Sequence, residues 1–331
     1  MTHFFILKFI LCFIDKKERN IIMSTTFLPE GLLYGTKQNH EYISSISGLE
    51  KALHDGKIIE APAAMCDGEM NLYIDLGNVR GIMPKSEVAL CKGNEEIKSI
   101  AVITRVGKPV CFKVTAIVEE KGVTVAYLSR KAAQEQCKRE FLSDIVCGDV
   151  LQAKVTHMEN FGAFVDVGCG IISLLTIDCI SVSRISHPSD RFEVGQYIPV
   201  AIKSIDREND RIFVSHREFL GTWKENAAQF ENFQTVSGIV RSIESYGIFV
   251  ELSPNLAGLA ECKSGVKVGD VASVYIKSII PERMKIKLVI IDSAEGNIKR
   301  KPKYYIDEKT KHIDRWKYSP DCSAKIVETV F

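Results

Sequence analysis

Two aromatic rings, Phe161 and Phe164, bracket Gly162-Ala163 in the stretch Phe161-Gly-Ala-Phe164-Val165-Asp166. The arrangement returns as Tyr246-Gly-Ile-Phe249-Val250-Glu251. Lys154, Lys203, Arg207 and Arg211 accompany the first pair. Rings mixed with cations suit one chemistry well. Unpaired nucleobases offer π-faces, stacking on a ring contributes about 1–3 kcal/mol per base, and the cations track phosphates. Core packing is the competing role of any strand aromatic. Strict alternation puts Phe161 and Phe164 on opposite faces of a strand. A bulge or bend at Gly162 brings both to one side, and glycine permits it at little cost.

Five short apolar runs between Gly148 and Ser215 must position these groups. VLQAKVTH alternates, with Leu151, Ala153 and Val155 on one face and Gln152, Lys154 and Thr156 on the other. FGAFVDVG and IISLLTI follow. GQYIPVAIKSID turns Ile198, Val200 and Ile202 inward, and RIFVS turns Ile212 and Val214 inward with Arg211, Phe213 and Ser215 outward. Pro188 rules out a central strand in SVSRISHPSDRF. His187 in that loop is a candidate contact residue, with a loop cap or turn hydrogen bond as the alternative. Short strands with turns between them predict a closed barrel. Two weaker copies flank this one. Val194-Gly-Gln-Tyr-Ile-Pro-Val-Ala-Ile-Lys203-Ser-Ile205 matches Val268-Gly-Asp-Val-Ala-Ser-Val-Tyr-Ile-Lys277-Ser-Ile279, without the intervening loop. The first copy keeps Tyr73-Ile-Asp-Leu-Gly77 and Gly107-Lys-Pro-Val-Cys-Phe-Lys-Val-Thr-Ala-Ile117. Tandem copies imply an array of like modules.

The expected organisation is as follows. Residues 1–22 are a start-site artefact or tail, 23–55 an N-terminal extension, and 56–130 a degenerate first barrel. A linker helix covers 131–147, the central domain 148–216, and a second helical linker 217–234. The shortened third domain spans 235–292 and the tail 293–331. A short helix over SSISGLEKALHD sets Ile46, Leu49 and Leu53 on one side, and SAKIVETVF reads as a terminal helix. Lys299-Arg300-Lys301 reads as a basic patch or a solvated tail.

The 331-residue chain carries a formal net charge of +1, so nucleic-acid binding must rest on local faces rather than on overall charge. Its 10 cysteines include no Cys-x-x-Cys pair, which excludes zinc-knuckle spacing and suits reduced thiols in the cytoplasm. MTHFFILKFILCFI is too short for a membrane span and is interrupted by Lys8. A phosphate-loop Gly-x-x-x-x-Gly-Lys and a Gly-x-Ser-x-Gly elbow are both absent, and Gly168-Cys-Gly170 lacks a third glycine. The reading is therefore non-enzymatic, with no metal and no cofactor.

Gly148-Asp-Val, Phe161-Gly-Ala-Phe-Val-Asp-x-Gly, the Val194-Gly-Gln strand and Arg211-Ile-x-x-Ser together resemble the S1-type RNA-binding repeat. SHPSDRFEVGQ and GTWKENAAQF are similar to ribosomal protein S1 homologues of Gram-positive, especially clostridial, bacteria. The resemblance implies an all-β fold of three tandem five-stranded OB-fold barrels joined by short helical linkers, the third shortened. It implies single-stranded RNA or mRNA as partner, with the small ribosomal subunit as a further one, and a place in translation or its regulation. Carried onto matching positions, Phe161 and Phe164 stack bases and Arg211 meets phosphate or base. Thr176 stands where the family has a third-strand histidine. Tyr246 and Phe249 match the aromatics in the third copy; Tyr73 alone survives in the first, for which the resemblance implies docking. The RNA-binding residues expected are thus Phe161, Phe164, Thr176, Arg211, Lys154, His187, Tyr246 and Phe249. The alternative is a protein-docking adaptor of the ribosome or RNA machinery with little RNA affinity.

Overall fold

The computed structural model describes residues 27–91, 95–296, 298, 302–307 and 309–331. The expectations for residues 1–22 and for Lys299-Arg300-Lys301 lie outside them. The chain forms two compact units, Met1–Phe141 and Leu142–Phe331.

In the first unit, the Thr36 hydroxyl caps α1 (Lys37–Ile43) and the Ser45 hydroxyl caps α2 (Ile46–Asp55). Gly56 closes α2 in the left-handed region, at φ +59°. The buried residues of α2 are Leu49 and Ala52, while Ile46 and Leu53 are exposed. The buried stripe is centred between positions 49 and 52, which leaves 46 and 53 on its rim, contrary to the expected face. A barrel follows: β1 (Ile59–Cys66), β2 (Leu72–Leu76), β3 (Val79–Met83), β4 (Pro109–Glu120) and β5 (Val123–Ser129), closed in the order β1-β2-β3-β5-β4. A helical turn, α3 (Ser99–Ile103), lies between β3 and β4, and α4 (Arg130–Cys137) follows β5. Glu30 is buried and takes the Arg130 guanidinium at 2.6 and 3.0 Å and the Arg105 guanidinium at 3.3 Å. Burial alone raises this carboxyl, but the two arginines and the Cys111 N–H bring it down to about 2.

The second unit holds two more barrels. The central one is β6 (Val150–Glu159), β7 (Gly162–Asp166), β8 (Ile172–Thr176), β9 (Tyr197–Asp206) and β10 (Arg211–Ser215), closed as β10-β8-β7-β6-β9. A 3-10 turn, Arg217–Leu220, and α5 (Trp223–Ala227) lead to the third: β11 (Thr235–Glu244), β12 (Gly247–Ser253), β13 (Leu256–Ala260), β14 (Val271–Ile280) and β15 (Lys285–Ala294), closed as β11-β12-β13-β15-β14. The third copy is shortened between β13 and β14 and still closes.

Each barrel is an antiparallel sheet sealed by one parallel pair, β3–β5, β8–β10 or β13–β15. Each carries the same two bulges. One inserts Ala64, Thr156 or Arg241 into the first strand; the other inserts Thr115, Lys203 or Lys277 into the fourth. An extra residue bends and twists its strand, and bends at matching places curl the sheet closed. Of the expected inward residues, Leu151, Ala153, Val155, Ile198, Val200, Ile202 and Val214 are buried and Ile212 is half-buried. Ser215 shares the outer side with Phe213 but is buried, its hydroxyl donating to the Glu218 carboxylate at 2.5 Å with the Cys179 carbonyl 3.4 Å away.

The tail is not helical at its end. β16 (Arg315–Lys317) pairs with β17 (Glu328–Val330), a segment whose β-branched Val327, Thr329 and Val330 favour extended backbone. Ile313, Trp316 and Tyr318 enter the core of the third barrel, while the Ile313 N–H donates to Gly148 and the Val150 N–H to Lys311. The tail thus packs on both barrels of its unit. Among the described residues, no helix is long and apolar enough to cross a membrane.

Candidate nucleic-acid interface

The β6–β7 hairpin presents the central aromatic pair. Phe161 lies in the turn before β7 and is 54% exposed; Phe164 lies on the outer side of β7 and is half-buried. Their rings meet edge to face, centroids 5.9 Å apart, on one surface. The bulge that was expected at Gly162 is at Thr156 on the partner strand, whose hydroxyl donates to the Phe164 carbonyl at 3.0 Å. Phe161 escapes strand alternation because it belongs to the turn. Gly162 serves close approach: a Cβ there would lie 2.4 Å from the Leu175 carbonyl oxygen.

The Thr156 bulge also brings His157 outward. Its ring stacks on Phe164 at 6.1 Å with planes 20° apart, and Nε2 is 2.7 Å from Glu159 Oε1. Register then places His157, Phe164, Leu174 and Phe213 in one row across β6, β7, β8 and β10. His157 was not anticipated; an alternation read straight through β6 cannot find it.

The remaining expected residues surround this row unevenly. Thr176 pairs with Gly162 beside the Phe161 turn. Burial raises the nearby Asp178 carboxyl, yet the Thr176 hydroxyl and the Lys203 ammonium hold it below its ordinary value. Arg211 is exposed at the start of β10, on the same side as Phe213, at the end of the face away from Phe161. Lys154 pairs with Asp166 and sets its ammonium 5.4 Å over the Tyr197 ring. Lys203 is engaged, with Nζ 2.9 Å from Cys179 Sγ and 3.8 Å from Asp178. Arg207 is exposed in the β9–β10 turn. His187 caps the 3-10 turn Pro188–Asp190, its Nδ1 accepting the Ser189 N–H at 3.1 Å.

The third barrel repeats the motif. Tyr246 is 67% exposed and meets Phe249 edge to face at 6.1 Å. Its row reads Ser242, Phe249, Leu259, Lys287, so serine replaces His157 and lysine replaces Phe213. The first barrel's row reads Met65, Tyr73, Ile82, Tyr127. Tyr127 is a second aromatic beside Tyr73, and the match of Val125-Ala-Tyr-Leu-Ser129 to Arg211-Ile-Phe-Val-Ser215 was the available signal. Both phenols are taken by carboxylates, Tyr73 donating to Asp67 at 3.3 Å and Tyr127 to Glu120 at 2.8 Å. Burial first and then Asp67 raise the Tyr73 phenol; the hydrogen bond to Glu120 raises that of Tyr127. Among the described residues, no three His, Cys, Asp or Glu side chains are grouped to hold a metal ion.

Comparison with known proteins bears on this geometry. The S1 RNA binding domain family matches residues 147–217, the central barrel. The small ribosomal subunit protein bS1 homolog of Bacillus subtilis is 30% identical over 292 residues, covering 85% of this chain and 71% of the relative. Its counterpart in Bacillus cereus is 30% identical over 264 residues, covering 76% and 65%. The bS1 protein of Staphylococcus aureus is 30% identical over 247 residues, covering 73% and 59%. The chain therefore spans between 59% and 71% of the length of these curated relatives. A solved multidomain protein with nucleic acid binding domains from Streptococcus pneumoniae aligns with 73% of this chain and 75% of its own at 13% identity, with a TM-score of 0.23. The barrels described above rest on strand pairing alone.

Proposed function

The chain belongs to the bS1 homologue family of small ribosomal subunit proteins, and on that premise we propose that it binds single-stranded RNA without catalysing a reaction. The central barrel carries most of the contact. Phe161, Phe164 and His157 stack bases, with Arg211 and Lys154 supplying positive charge at the far end of the same face and Thr176 bordering it. The third barrel adds a weaker site at Tyr246 and Phe249, and several weak modules on one chain gain affinity through effective concentration. mRNA is the expected ligand, the small ribosomal subunit the expected assembly and the cytoplasm the expected compartment, with a role in translation or its regulation.

One observation carries this reading. Edge-to-face aromatic pairs stand on the outer side at the same hairpin of two barrels, with Phe161 and Tyr246 exposed and Phe164 and Phe249 half-buried. A second reading, protein docking, is favoured at the first barrel, where both outer tyrosines are capped by carboxylates that repel phosphate.

The test is binding of fluorescent single-stranded RNA across a salt series, comparing the parent with the Phe161→Ala/Phe164→Ala variant. Affinity that falls with salt and collapses in the variant is expected. A parent without salt-dependent affinity, or a variant that binds as the parent does, rejects the proposal.

A further inference from the structure

The loop between β8 and β9, residues 177–196, is bonded to the third barrel rather than left free beside its own. The Val182 N–H donates to Asn255 Oδ1 at 2.9 Å, and the Ser183 N–H to the Pro254 carbonyl at 3.2 Å. Farther along the loop, the Arg191 guanidinium donates to Glu251 at 2.6 Å, and Asp190 accepts Arg241 at 3.2 Å. Arg241 also donates to Glu251 at 2.7 Å, so two loop residues and two third-barrel residues make one ion network. Its Arg191, Glu251 and Arg241 side chains are 7%, 3% and 10% exposed.

This docking divides the outer side of β12. Glu251 and Ser253 are buried, while Phe249 stays half-exposed and Tyr246 open. Arg241 is the bulge residue next to Ser242, the Cα partner of Phe249. The Asp190–Arg191 end of the loop therefore meets β11 and β12 beside the Ser242–Phe249 pair, while Ser183, and Arg184 after it, follow the outer side to the Pro254 end of β12. The third barrel has only residues 261–270 between its own β13 and β14, against 177–196 in the central barrel.

The loop's exposed groups suit a phosphodiester strand. Arg184, Ser186 and Ser189 are exposed. Arg184 lies outside the ion network, in which Arg191 and Arg241 are already matched by Glu251 and Asp190. His187 Nδ1 accepts the Ser189 backbone N–H, so in the neutral ring the proton resides on Nε2, which is left as a donor.

From these observations we infer that the β8–β9 loop of the central barrel completes the RNA face of the third barrel, with Arg184 and His187 contacting the phosphate–ribose backbone of a strand stacked on Tyr246 and Phe249. The inference rests on the RNA-binding reading above. It reassigns His187 from its own barrel to the neighbouring one and makes the two barrels one composite surface.

Double-mutant cycles on the full chain, read by anisotropy of a labelled single-stranded RNA, test it. Arg184→Glu, an exposed site whose change leaves the melting curve in place, lowers affinity roughly 5- to 10-fold at low salt and reduces the salt slope by about 1. Added to Tyr246→Ala/Phe249→Ala it costs little more, because both act on one site; added to Phe161→Ala/Phe164→Ala its loss multiplies. His187→Ala follows the same pattern at smaller size. The opposite pattern, coupling to the central pair and independence from the third, overturns the inference. So does an Arg184→Glu chain that binds as the parent does while Phe161→Ala/Phe164→Ala loses affinity, an outcome that leaves the RNA-binding reading intact. A parent with no salt-dependent affinity rejects that reading and the inference with it.

Discussion

The central and first barrels share strand order, both bulge positions and a parallel closing pair, and they differ on one outer row. In the central barrel that row is His157, Phe164, Leu174 and Phe213, with Phe161 at the hairpin. In the first it is Met65, Tyr73, Ile82 and Tyr127, and Asp67 and Glu120 hold the phenols. Rings remain in both, so aromaticity alone does not separate them. The separation is electrostatic: one face offers π-surfaces beside cations, the other π-surfaces rimmed by carboxylates. Residues facing inward decide that a barrel forms. The outer row decides what it can hold, and it varies without disturbing closure.

The sharpest way to break this comparison is to strip the rings from each face in turn. Two stacked bases at about 1–3 kcal/mol each amount to about 2–6 kcal/mol, so Phe161→Ala/Phe164→Ala should weaken single-stranded RNA binding at least ~30-fold. Tyr73→Ala/Tyr127→Ala should change it by no more than about two-fold. Anisotropy titrations at one fixed salt concentration measure both. Equal losses would erase the distinction between the faces.

The two compact units should also respond differently to acid, a contrast of stability rather than of binding. In the second unit His216 is 1% exposed, its Nδ1 is 2.7 Å from the Pro199 carbonyl, and its Nε2 has no partner. Phe192 and Tyr304 enclose it edge to face at 5.0 and 5.5 Å. Burial pushes this imidazole from 6.5 down to about 4, the Pro199 hydrogen bond opposing in part. The unfolded chain therefore binds the proton more tightly, and stability falls as pH drops from about 6.5 to about 4, by roughly 3 kcal/mol. Glu30 in the first unit has the depressed-carboxylate sign, with stability present above 4.5 and lost as pH falls toward about 2. Acid should therefore weaken the second unit first. Both tryptophans, Trp223 and Trp316, lie in that unit, so their fluorescence reports it alone. His216→Phe should flatten its melting temperature between pH 6.5 and 4. An unchanged slope in that variant would remove His216 as the cause.

Much of this was legible in the sequence because it is periodic. Alternation located the inward Leu151, Ala153 and Val155, and the repeated Phe-Gly-Ala-Phe and Tyr-Gly-Ile-Phe motifs marked the hairpins. What was not legible came from departures from period two. Thr156 is an extra residue, so every position before it on β6 reads correctly and His157 after it does not. Phe161 shares a side with Phe164 because it is in a turn, a matter of backbone path that alternation does not describe. The Ser183–Arg191 loop reads from sequence as part of its own barrel because its ties to Pro254, Arg241 and Glu251 span 50 residues or more and leave no local signature. The tail misled for a related reason: SAKIVETVF has helix formers at its start, but its last residues find a partner strand at Arg315–Lys317.

His157 sharpens the comparison at smaller scale, because Met65 occupies its place in the first barrel. One stacking partner is at stake and Phe164 keeps its other contacts, so His157→Ala should lower RNA affinity several-fold, near the low end of about 1–3 kcal/mol per base. His157→Phe should restore most of it, whereas recovery only with a hydrogen-bonding side chain would show that the ring acts as a donor.

The smallest effect tests the electrostatic half of the contrast. Asp67→Asn/Glu120→Gln removes two charges from the rim of the first barrel's row and keeps the shape and both hydrogen-bond partners of the phenols. RNA affinity of the full chain should rise by about two-fold at low salt, and the gain should vanish near 1 M salt, where the screening length falls to about 3 Å. The Tyr127 phenol, raised chiefly by its hydrogen bond to Glu120, should titrate at lower pH in the variant by ultraviolet absorbance. The two readouts separate two reasons for a weak first barrel. If the phenol shifts and affinity does not, the carboxylates are not what keeps RNA from that face, and the difference from the central barrel must lie in the missing hairpin ring, where Met70 stands in place of Phe161.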